Sequence, residues 1–463
     1  MPTWPEQTIF WHVYPLGFTR AEREALPADA PPVPRLRQLE PWLDYLIELG
    51  ANGLALGPVF ASETHGYDTL DHLRVDRRLG TDEDLAWLLS ACHDRGIRVL
   101  LDGVFNHVGE RFPAFQDVVA HGRDSRYADW FRIDWDADTE RGFDHADFEG
   151  HHHLIALDHS SPAVADHVVA VMEHWLGAGA DGWRLDAAYA VPPTFWREVT
   201  DRVRGRFPDA WFVGEVIHAP YVPWLTDAHL DAVTQYELWK STWSALNDHN
   251  FYELAHALDR HQEVVATAPP MTFLGNHDVT RIATQLDDDR HLTHALALLL
   301  TLPGIPSIYA GDEQGFTGEK QEHAAGDDAV RPAFPSSPGE LLPFGWPLFH
   351  RHQELIGVRR RHPWLVTAEV RVLVLDNAQL AYALRPAGTS EADTADRLVV
   401  LLNLADGPAR FEPARDAVPG EYAIVADGGP ADDADAGSGG TGSDDGGLWA
   451  LGSHRWRILA LIT

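Results

Sequence analysis

Short hydrophobic runs recur along the first 360 residues, and a longer stretch with helical periodicity follows most of them. Apolar runs bounded by turn signals are typical of buried strands, whereas amphipathic stretches between them indicate helices. Eight runs predict strands, at residues 9–14, 53–56, 98–102, 182–186, 211–215, 232–236, 271–274 and 305–309. Eight strand–helix units predict a parallel sheet that closes into a (β/α)8 barrel.

The pattern departs from this repeat in two places. More than eighty residues lie between Asp102 and Asp186, the last residues of the third and fourth strands. We therefore predict a small inserted subdomain at 108–157, between barrel segments 1–107 and 158–363. After residue 363, short alternating runs with turn signals predict a C-terminal antiparallel β-sandwich over 364–463. Within it, residues 425–446 are rich in Gly, Asp and Ser, which predicts a flexible surface loop.

Charge and composition narrow the possible partners. The formal net charge is -34, with 70 acidic and 36 basic residues, which argues against nucleic acid or an anionic membrane as a partner. There is no apolar run of about 18 residues, so we expect no membrane span. The first residues lack the basic and apolar regions of a secretory signal, and there is one cysteine. These observations favour a cytoplasmic location.

Four carboxylates stand at the ends of predicted strands. Asp102, Asp186, Glu215 and Asp278 close the runs IRVLLD, DGWRLD, AWFVGE and MTFLGNHD. The carboxyl ends of parallel barrel strands face one rim, so we expect these side chains to share a pocket. Several carboxylates in one pocket can serve glycoside chemistry, which needs an acid and a nucleophile.

The neighbours of two of these carboxylates suggest different protonation states. Arg184 lies two residues before Asp186, on the same face of the strand, so its charge should lower the pKa of Asp186 and keep it ionised. Glu215 has no such cation near it in sequence. A less polar setting would raise its pKa, which suits a proton donor.

Several motifs carry a resemblance to a known family. DGVFNH, GWRLD, VGEV and FLGNHD occur in order, and GPVF with HGYDT, ALDHSSPAV and GIPSIYAGDE accompany them. In these motifs the chain resembles the α-amylase family of glycoside hydrolases, over nearly its whole length. One such motif would be a weak signal, but four in register with the strand count are a strong one.

The resemblance implies roles for individual residues. Asp186 would be the nucleophile, Glu215 the general acid and then the base, and Asp278 the residue that stabilises the distorted sugar. The other residues implied at the substrate site are Tyr67, which would stack on the sugar, together with Asp68, Asp102, His107, Arg184, His218 and His277.

The chain also departs from the family pattern. Members with the conserved calcium site carry a Lys-His pair where this chain has Tyr189 and Ala190. We therefore expect no required cofactor, and Asn106 would be a metal ligand only if a calcium site is retained. His218 resembles a feature of cyclomaltodextrinase- and neopullulanase-like members, although the sequence begins at the barrel, without their N-terminal domain.

The resulting hypothesis is a retaining hydrolase of α-1,4-glucosidic bonds in maltooligosaccharides, cyclic dextrins or related α-glucans. One alternative is an α-glucan transglycosylase of the 4-α-glucanotransferase type, because another sugar can replace water at the intermediate. A second alternative is a non-catalytic sugar-binding protein on a degenerate barrel. The presence of all the expected carboxylates argues against that second alternative.

Overall fold

All eight predicted barrel strands are present. In the computed structural model, which describes residues 3–27, 29–323, 326–389, 396–412, 420–430 and 449–462, they are β1 (Phe10–Val13), β2 (Gly53–Leu56), β3 (Arg98–Gly103), β4 (Gly182–Leu185), β5 (Trp211–Gly214), β6 (Ala232–Val233), β7 (Met271–Phe273) and β8 (Ile305–Tyr309). The sixth strand is shorter than predicted, because Tyr236 already begins a helix.

The eight strands form a closed parallel barrel. Each strand pairs with its sequence neighbour, and β8 pairs with β1. A parallel bridge between Thr234 and Met271 joins the ends of β6 and β7. The interior is filled tightly: a Cβ on Gly182 would lie 2.2 Å from the carbonyl oxygen of Trp211, so only glycine fits at the start of β4.

Helices surround the barrel, as the sequence predicts. Thr81 caps one of them through a capping box with Asp84. The α-helices are Pro15–Phe18, Glu40–Leu49, Asp82–His93, Pro113–His121, Pro162–Ala178, Pro193–Arg204, Val222–Thr226, Tyr236–Asn247, Phe251–Val265, Ile282–Gln285, Leu292–Thr301 and Trp346–Arg361. The 3-10 helices are Trp4–Gln7, Arg35–Leu39, Gly122–Asp124, Ala188–Ala190, Asp289–His291, Asp312–Gln314, Pro338–Glu340, Pro343–Gly345 and Pro363–Thr367.

Two excursions leave the barrel on the side of the strand carboxyl ends. After β2, Phe60–Ser62 and Thr69–Val75 form an antiparallel hairpin. Between β3 and β4 lies the predicted inserted subdomain, which contains one α-helix, one 3-10 helix and two small antiparallel sheets. Its strands are His107–Gly109, Ile133–Asp134, Asp144–His145, Asp147–Phe148 and His151–Ala156.

The C-terminal region is an antiparallel sheet covered on one face by a two-stranded ribbon. Its strands are β9 (Glu369–Leu375), β10 (Gln379–Arg385), β11 (Leu398–Asn403), β12 (Ala409–Phe411), β13 (Tyr422–Gly428), β14 (Trp449–Leu451) and β15 (Arg455–Leu461). The sheet order is β9-β10-β11-β15-β13, and β12 pairs with β14. The barrel, insertion and antiparallel C-terminal region confirm the predicted fold class.

Both faces of the C-terminal sheet are buried. Val399 and Leu401 pack towards the ribbon, whereas Val400 and Leu402 join the core that continues into the barrel helices. This explains why β11 is an uninterrupted apolar run. The start predicted for the loop at 425–446 is too early, because β13 pairs with β15 as far as Gly428. Residues 431–446 of the predicted loop lie outside the described residues.

Nowhere in the described part of the chain is there a helix long and apolar enough to cross a membrane. The cytoplasmic location stays a prediction.

Candidate active site

One guanidinium holds three of the predicted carboxylates together. Arg184 on β4 lies beside Asp102 on β3 in the strand register, and its Nη1 is 2.7 Å from Asp102 Oδ1. The same Nη1 is 3.1 Å from Asp186 Oδ1, and Nη2 is 2.7 Å from Glu215 Oε1. Glu215 has no such cation near it in sequence, but the pairing of β4 with β5 brings Arg184 to it.

Glu215 also accepts two further hydrogen bonds. The Tyr236 hydroxyl donates to its Oε1 at 3.0 Å, and the Ala187 amide donates to its Oε2 at 3.0 Å. Ala187 adopts a left-handed conformation with φ of 44°, which is uncommon for a residue with a Cβ. This turn directs the amide after Asp186 towards Glu215, so the setting of Glu215 is more polar than predicted.

Burial raises the pKa of Asp102, and raises that of Asp186 well above its usual range, although Arg184 opposes both shifts. The charges of Glu215 and Asp102 raise the pKa of Asp186 further. Arg184 lowers the pKa of Asp186 as predicted, but burial and the neighbouring carboxyls outweigh it, so the prediction that Arg184 keeps Asp186 ionised is wrong. The cluster therefore retains a proton at a pH where an isolated aspartate is ionised.

Asp278 stands in a different electrostatic setting. Its Oδ2 is 2.8 Å from His277 Nε2, and Arg331 Nη2 donates to its Oδ1 at 2.8 Å. Burial alone would raise the pKa of Asp278, but His277, through its charge and hydrogen bond, and the charge of Arg331 together hold it well below the usual range. Its side chain is 30% exposed, compared with 9% for Asp186, so it is accessible from the pocket.

Aromatic rings hold His277 in place. The imidazole stacks between Tyr67 and Tyr14, with ring centroids 5.4 Å and 5.7 Å away. The hydroxyl of Tyr67 also contacts His277 Nε2 and donates to Asp102 Oδ2 at 3.0 Å. Tyr67 thus connects the carboxyl cluster around Arg184 to the pair formed by His277 and Asp278.

His107 contacts the backbone of Tyr67 and none of the carboxylates. Its Nε2 donates to the carbonyl oxygen of Tyr67 at 3.0 Å, and its ring stacks on Phe148 of the inserted subdomain. Burial lowers the pKa of His107 to about 3, so the ring is neutral. The residue therefore positions Tyr67 and does not touch the carboxylates.

Two predicted substrate-site residues lie apart from the carboxyl cluster. Asp68 accepts hydrogen bonds from the amide and hydroxyl of Thr64, which closes the hairpin loop that carries Tyr67. His218 is exposed on the loop after β5, and no hydrogen bond joins it to another described residue. The structure does not bring these two side chains to the carboxylates.

The surroundings of Asn106 do not fit a calcium site. Its side-chain Nδ2 lies 3.1 Å from His107 Nδ1, and its backbone carbonyl oxygen accepts a hydrogen bond from the Leu157 amide. Neither contact involves a carboxylate, which is the ligand that calcium prefers.

Four residues of the site were not predicted. Tyr14, Tyr236 and Asn276 follow the ends of β1, β6 and β7, so the argument used for the strand-end carboxylates would have found them. Asn276 donates from its Nδ2 to the Tyr236 hydroxyl at 2.9 Å and accepts from the Asp278 amide at 2.8 Å. Arg331 comes from the long segment after β8, where no sequence motif marks it.

A barrel with this carboxyl cluster at its strand ends defines a glycoside hydrolase class. A sequence profile described as the catalytic domain of alpha amylase matches residues 13–340, and the chain belongs to this α-amylase family. The names of its relatives support a cyclomaltodextrinase- and neopullulanase-like subgroup.

Two curated relatives and one solved structure show the extent of the similarity. A maltogenic alpha-amylase from Bacillus acidopullulyticus is 34% identical, over 68% of this chain and 58% of its own length. A cyclomaltodextrinase from Geobacillus thermopakistaniensis is 31% identical, over 89% of this chain and 71% of its own length. The chain therefore spans less than two thirds of the first relative. A cyclic alpha-maltosyl-(1→6)-maltose hydrolase from Arthrobacter globiformis is 26% identical, covers 100% of both chains and has a TM-score of 0.79.

Proposed function

We propose that this chain hydrolyses α-1,4-glucosidic bonds with retention of anomeric configuration, in maltooligosaccharides or cyclic dextrins. One observation carries the proposal. The guanidinium of Arg184 contacts both Asp186 and Glu215, and these two carboxyls stand at the ends of neighbouring strands. A retaining mechanism needs the two carboxyl groups about 5–5.5 Å apart, and a shared guanidinium favours that spacing over the wider inverting one.

In the first step, Glu215 donates its proton to the glycosidic oxygen while the carboxylate of Asp186 forms a bond to the anomeric carbon. The bond from that carbon to the oxygen breaks, and the leaving sugar departs with the proton. In the second step, Glu215 removes a proton from water, and the oxygen of that water displaces Asp186. The enzyme returns to its starting protonation.

The shared proton of the cluster has a place in this scheme. Asp186 must be ionised and Glu215 protonated when the sugar arrives, yet burial and the neighbouring carboxylates favour a proton on Asp186 in the free site. We propose that sugar binding moves this proton to Glu215. Two contacts hold the carboxyls of Asp186 and Glu215 in place during this proton transfer. The Ala187 amide donates to Glu215, and Arg184 contacts both carboxyls.

Asp278 supplies the lasting negative charge of the site. Its low pKa keeps it ionised, and its exposed fraction lets it accept hydrogen bonds from sugar hydroxyls. A fixed carboxylate near the anomeric carbon stabilises the positive charge that develops in an oxocarbenium-like transition state. We place Tyr67 beside the same sugar, with its ring parallel to that of His277.

The substrate class rests on the relatives. Their names record maltogenic and cyclomaltodextrin activities, and that of the solved structure records the hydrolysis of a cyclic maltosyl-maltose. We therefore propose short α-glucans, linear or cyclic, as the substrates of this chain.

The test is an anomeric and product analysis with matched variants. The wild type is incubated with maltoheptaose, β-cyclodextrin and pullulan, and the first product is followed by proton NMR. We expect the α-anomer to appear first and to mutarotate later. Glu215→Gln should lose nearly all turnover, whereas Asp209→Asn, which changes an exposed carboxyl, should keep it.

Three outcomes would contradict the proposal. A first product in the β configuration would exclude a retaining mechanism. Longer oligosaccharides as the main products at high acceptor concentration would show a transglycosylase. Binding of maltoheptaose without turnover by the wild type would show a non-catalytic sugar-binding protein.

A further inference from the structure

A cluster of histidines lies at the junction between the barrel and the C-terminal sheet, away from the catalytic site. His291 is at the end of the 3-10 helix Asp289–His291, which leads into the barrel helix Leu292–Thr301. His454 is in the turn between β14 and β15 of the C-terminal region. Both residues are 1% exposed, and His291 Nε2 is 3.0 Å from His454 Nδ1.

A carboxylate completes the group. One ligand atom each from Asp288, His291 and His454 can be chosen so that all three lie within 4.8 Å of one another. Two nitrogens bound to a tetrahedral zinc ion at about 2.0–2.1 Å are about 3.3 Å apart. The observed separation of the two imidazole nitrogens, 3.0 Å, is a hydrogen-bond distance that is close to that value, and a carboxylate oxygen of Asp288 is near enough to be the third ligand.

The backbone and the outer contacts of His454 fit the same interpretation. His454 has φ of 48°, a left-handed conformation that is uncommon for residues other than glycine. Its Nε2 lies 2.9 Å from Asp406 Oδ1, which leaves Nδ1 directed at His291. A carboxylate that orients the distal nitrogen of a histidine is the usual support of a metal-bound imidazole.

Other charged and titratable groups surround the cluster. The rings of His249 and His294 lie 5.3 Å and 5.2 Å from that of His291. Arg290 donates to both oxygens of Asp288, at 3.0 Å from Nε and 2.7 Å from Nη2. Arg290 therefore competes with a cation for Asp288, and its side chain is 45% exposed and able to move away.

We propose that Asp288, His291 and His454 bind one divalent transition-metal ion, with zinc as the preferred metal, and that water supplies the fourth ligand. Two imidazoles and a carboxylate suit zinc and not calcium, which prefers oxygen ligands. Asp288 and His291 belong to the barrel and His454 to the C-terminal sheet. The bound ion therefore ties the two regions together and has no part in the chemistry at Asp186.

The experiment measures zinc binding by the untagged, full-length protein after treatment with a chelator and dialysis. We expect one zinc ion per chain by calorimetry and elemental analysis, and a melting temperature that rises by a few degrees with zinc because the ion binds the folded state. His291→Gln and His454→Gln should abolish both effects while activity on maltoheptaose is retained. Asp406→Asn should weaken binding by about 10–100-fold.

Two controls separate this site from other histidines. His256→Ala changes an exposed histidine on the helix Phe251–Val265 and should bind zinc as the wild type does. Arg290→Gln removes the competing cation and should bind zinc several-fold more tightly.

The proposal is overturned if the chelator-treated wild type binds no zinc. It is equally overturned if His454→Gln, shown to be folded by circular dichroism, binds zinc as the wild type does. Loss of binding in His152→Ala, in the exposed run 151–153, with no loss in His454→Gln would place the ion in the inserted subdomain and contradict it as well.

Discussion

Asp186 and Asp278 follow strands of the same barrel and lie close enough for their charges to interact, yet the protein shifts their pKa values in opposite directions. Burial raises the pKa of Asp186, which shares the single guanidinium of Arg184 with two other carboxyls. Asp278 has two partners of its own, His277 and Arg331, and they hold its pKa low although burial opposes them. The partners available to each buried carboxyl therefore decide which group carries the proton and which carries a lasting charge.

The substitution Asp186→Asn should have the largest effect on activity. Loss of the nucleophile should lower kcat on maltoheptaose by at least about 10⁴-fold. The same change should raise the free energy of unfolding by about 1 kcal/mol at pH 7, because the amide removes a buried carboxyl that shares its cation. Kinetics and thermal unfolding check both effects, and a loss of stability would contradict the charge argument.

Asp278→Asn should lower kcat by about 10³-fold, through the loss of a charge that stabilises the transition state. Asp278→Asn should lower the free energy of unfolding, whereas Asp186→Asn should raise it. Removal of this carboxylate leaves Arg331 with Asp327 as its remaining carboxylate partner in the described part of the chain, and removes the oxygen 2.8 Å from His277 Nε2. These losses should cost about 1 kcal/mol of unfolding free energy. A variant as stable as the wild type by chemical denaturation would show that these cations do not depend on Asp278.

Glu313 extends the comparison to a buried carboxyl with no cation among its hydrogen-bond donors. It accepts bonds from Tyr45 at 2.9 Å and from the Gly311 amide at 2.9 Å, and burial raises its pKa to about 7. The folded pKa lies above the unfolded value of about 4.5, so the stabilisation is complete below pH 4.5 and is lost as pH rises through 7.

The wild type should therefore lose about 3 kcal/mol of unfolding free energy, relative to Glu313→Gln, between pH 4.5 and pH 8. Chemical denaturation of both proteins across this range measures the difference. Parallel pH profiles would exclude Glu313 as the titrating group.

Arg331→Met should produce the smallest effect, a shift in the pH profile. Arg331 lowers the pKa of Asp278, so without it Asp278 becomes protonated at a higher pH. The acid limb of kcat/KM should move up by about one pH unit, while activity above pH 7 changes less. Arg331→Lys keeps the charge and should shift the limb less, and equal shifts in both variants would point to lost geometry.

The barrel was predictable because its strands are buried on both faces and read as short apolar runs. The carboxylates were predictable because each follows such a run. Their protonation was not predictable, because it depends on strand register. Arg184 lies two residues before Asp186 in the sequence, but pairing of β4 with β3 and β5 also brings Asp102 and Glu215 to it.

Arg331 was unpredictable for a related reason. It is 53 residues after Asp278, in a segment with neither strand nor helix periodicity, and only the path of the chain after β8 brings the two side chains together. The residue spacing that identifies a strand end carries no information about such a contact. His218, by contrast, was expected from a local resemblance and lies exposed on its loop.

The doubly covered C-terminal sheet has a consequence for engineering. A shortened enzyme that stops at residue 363 would expose to water the barrel-helix surface that Val400, Leu402 and Trp456 now cover. Such a fragment would need polar side chains on those helices to remain soluble, even though it would keep all the catalytic residues. Domain exchange between relatives is therefore best planned with the last barrel helices and the sheet moved as one block.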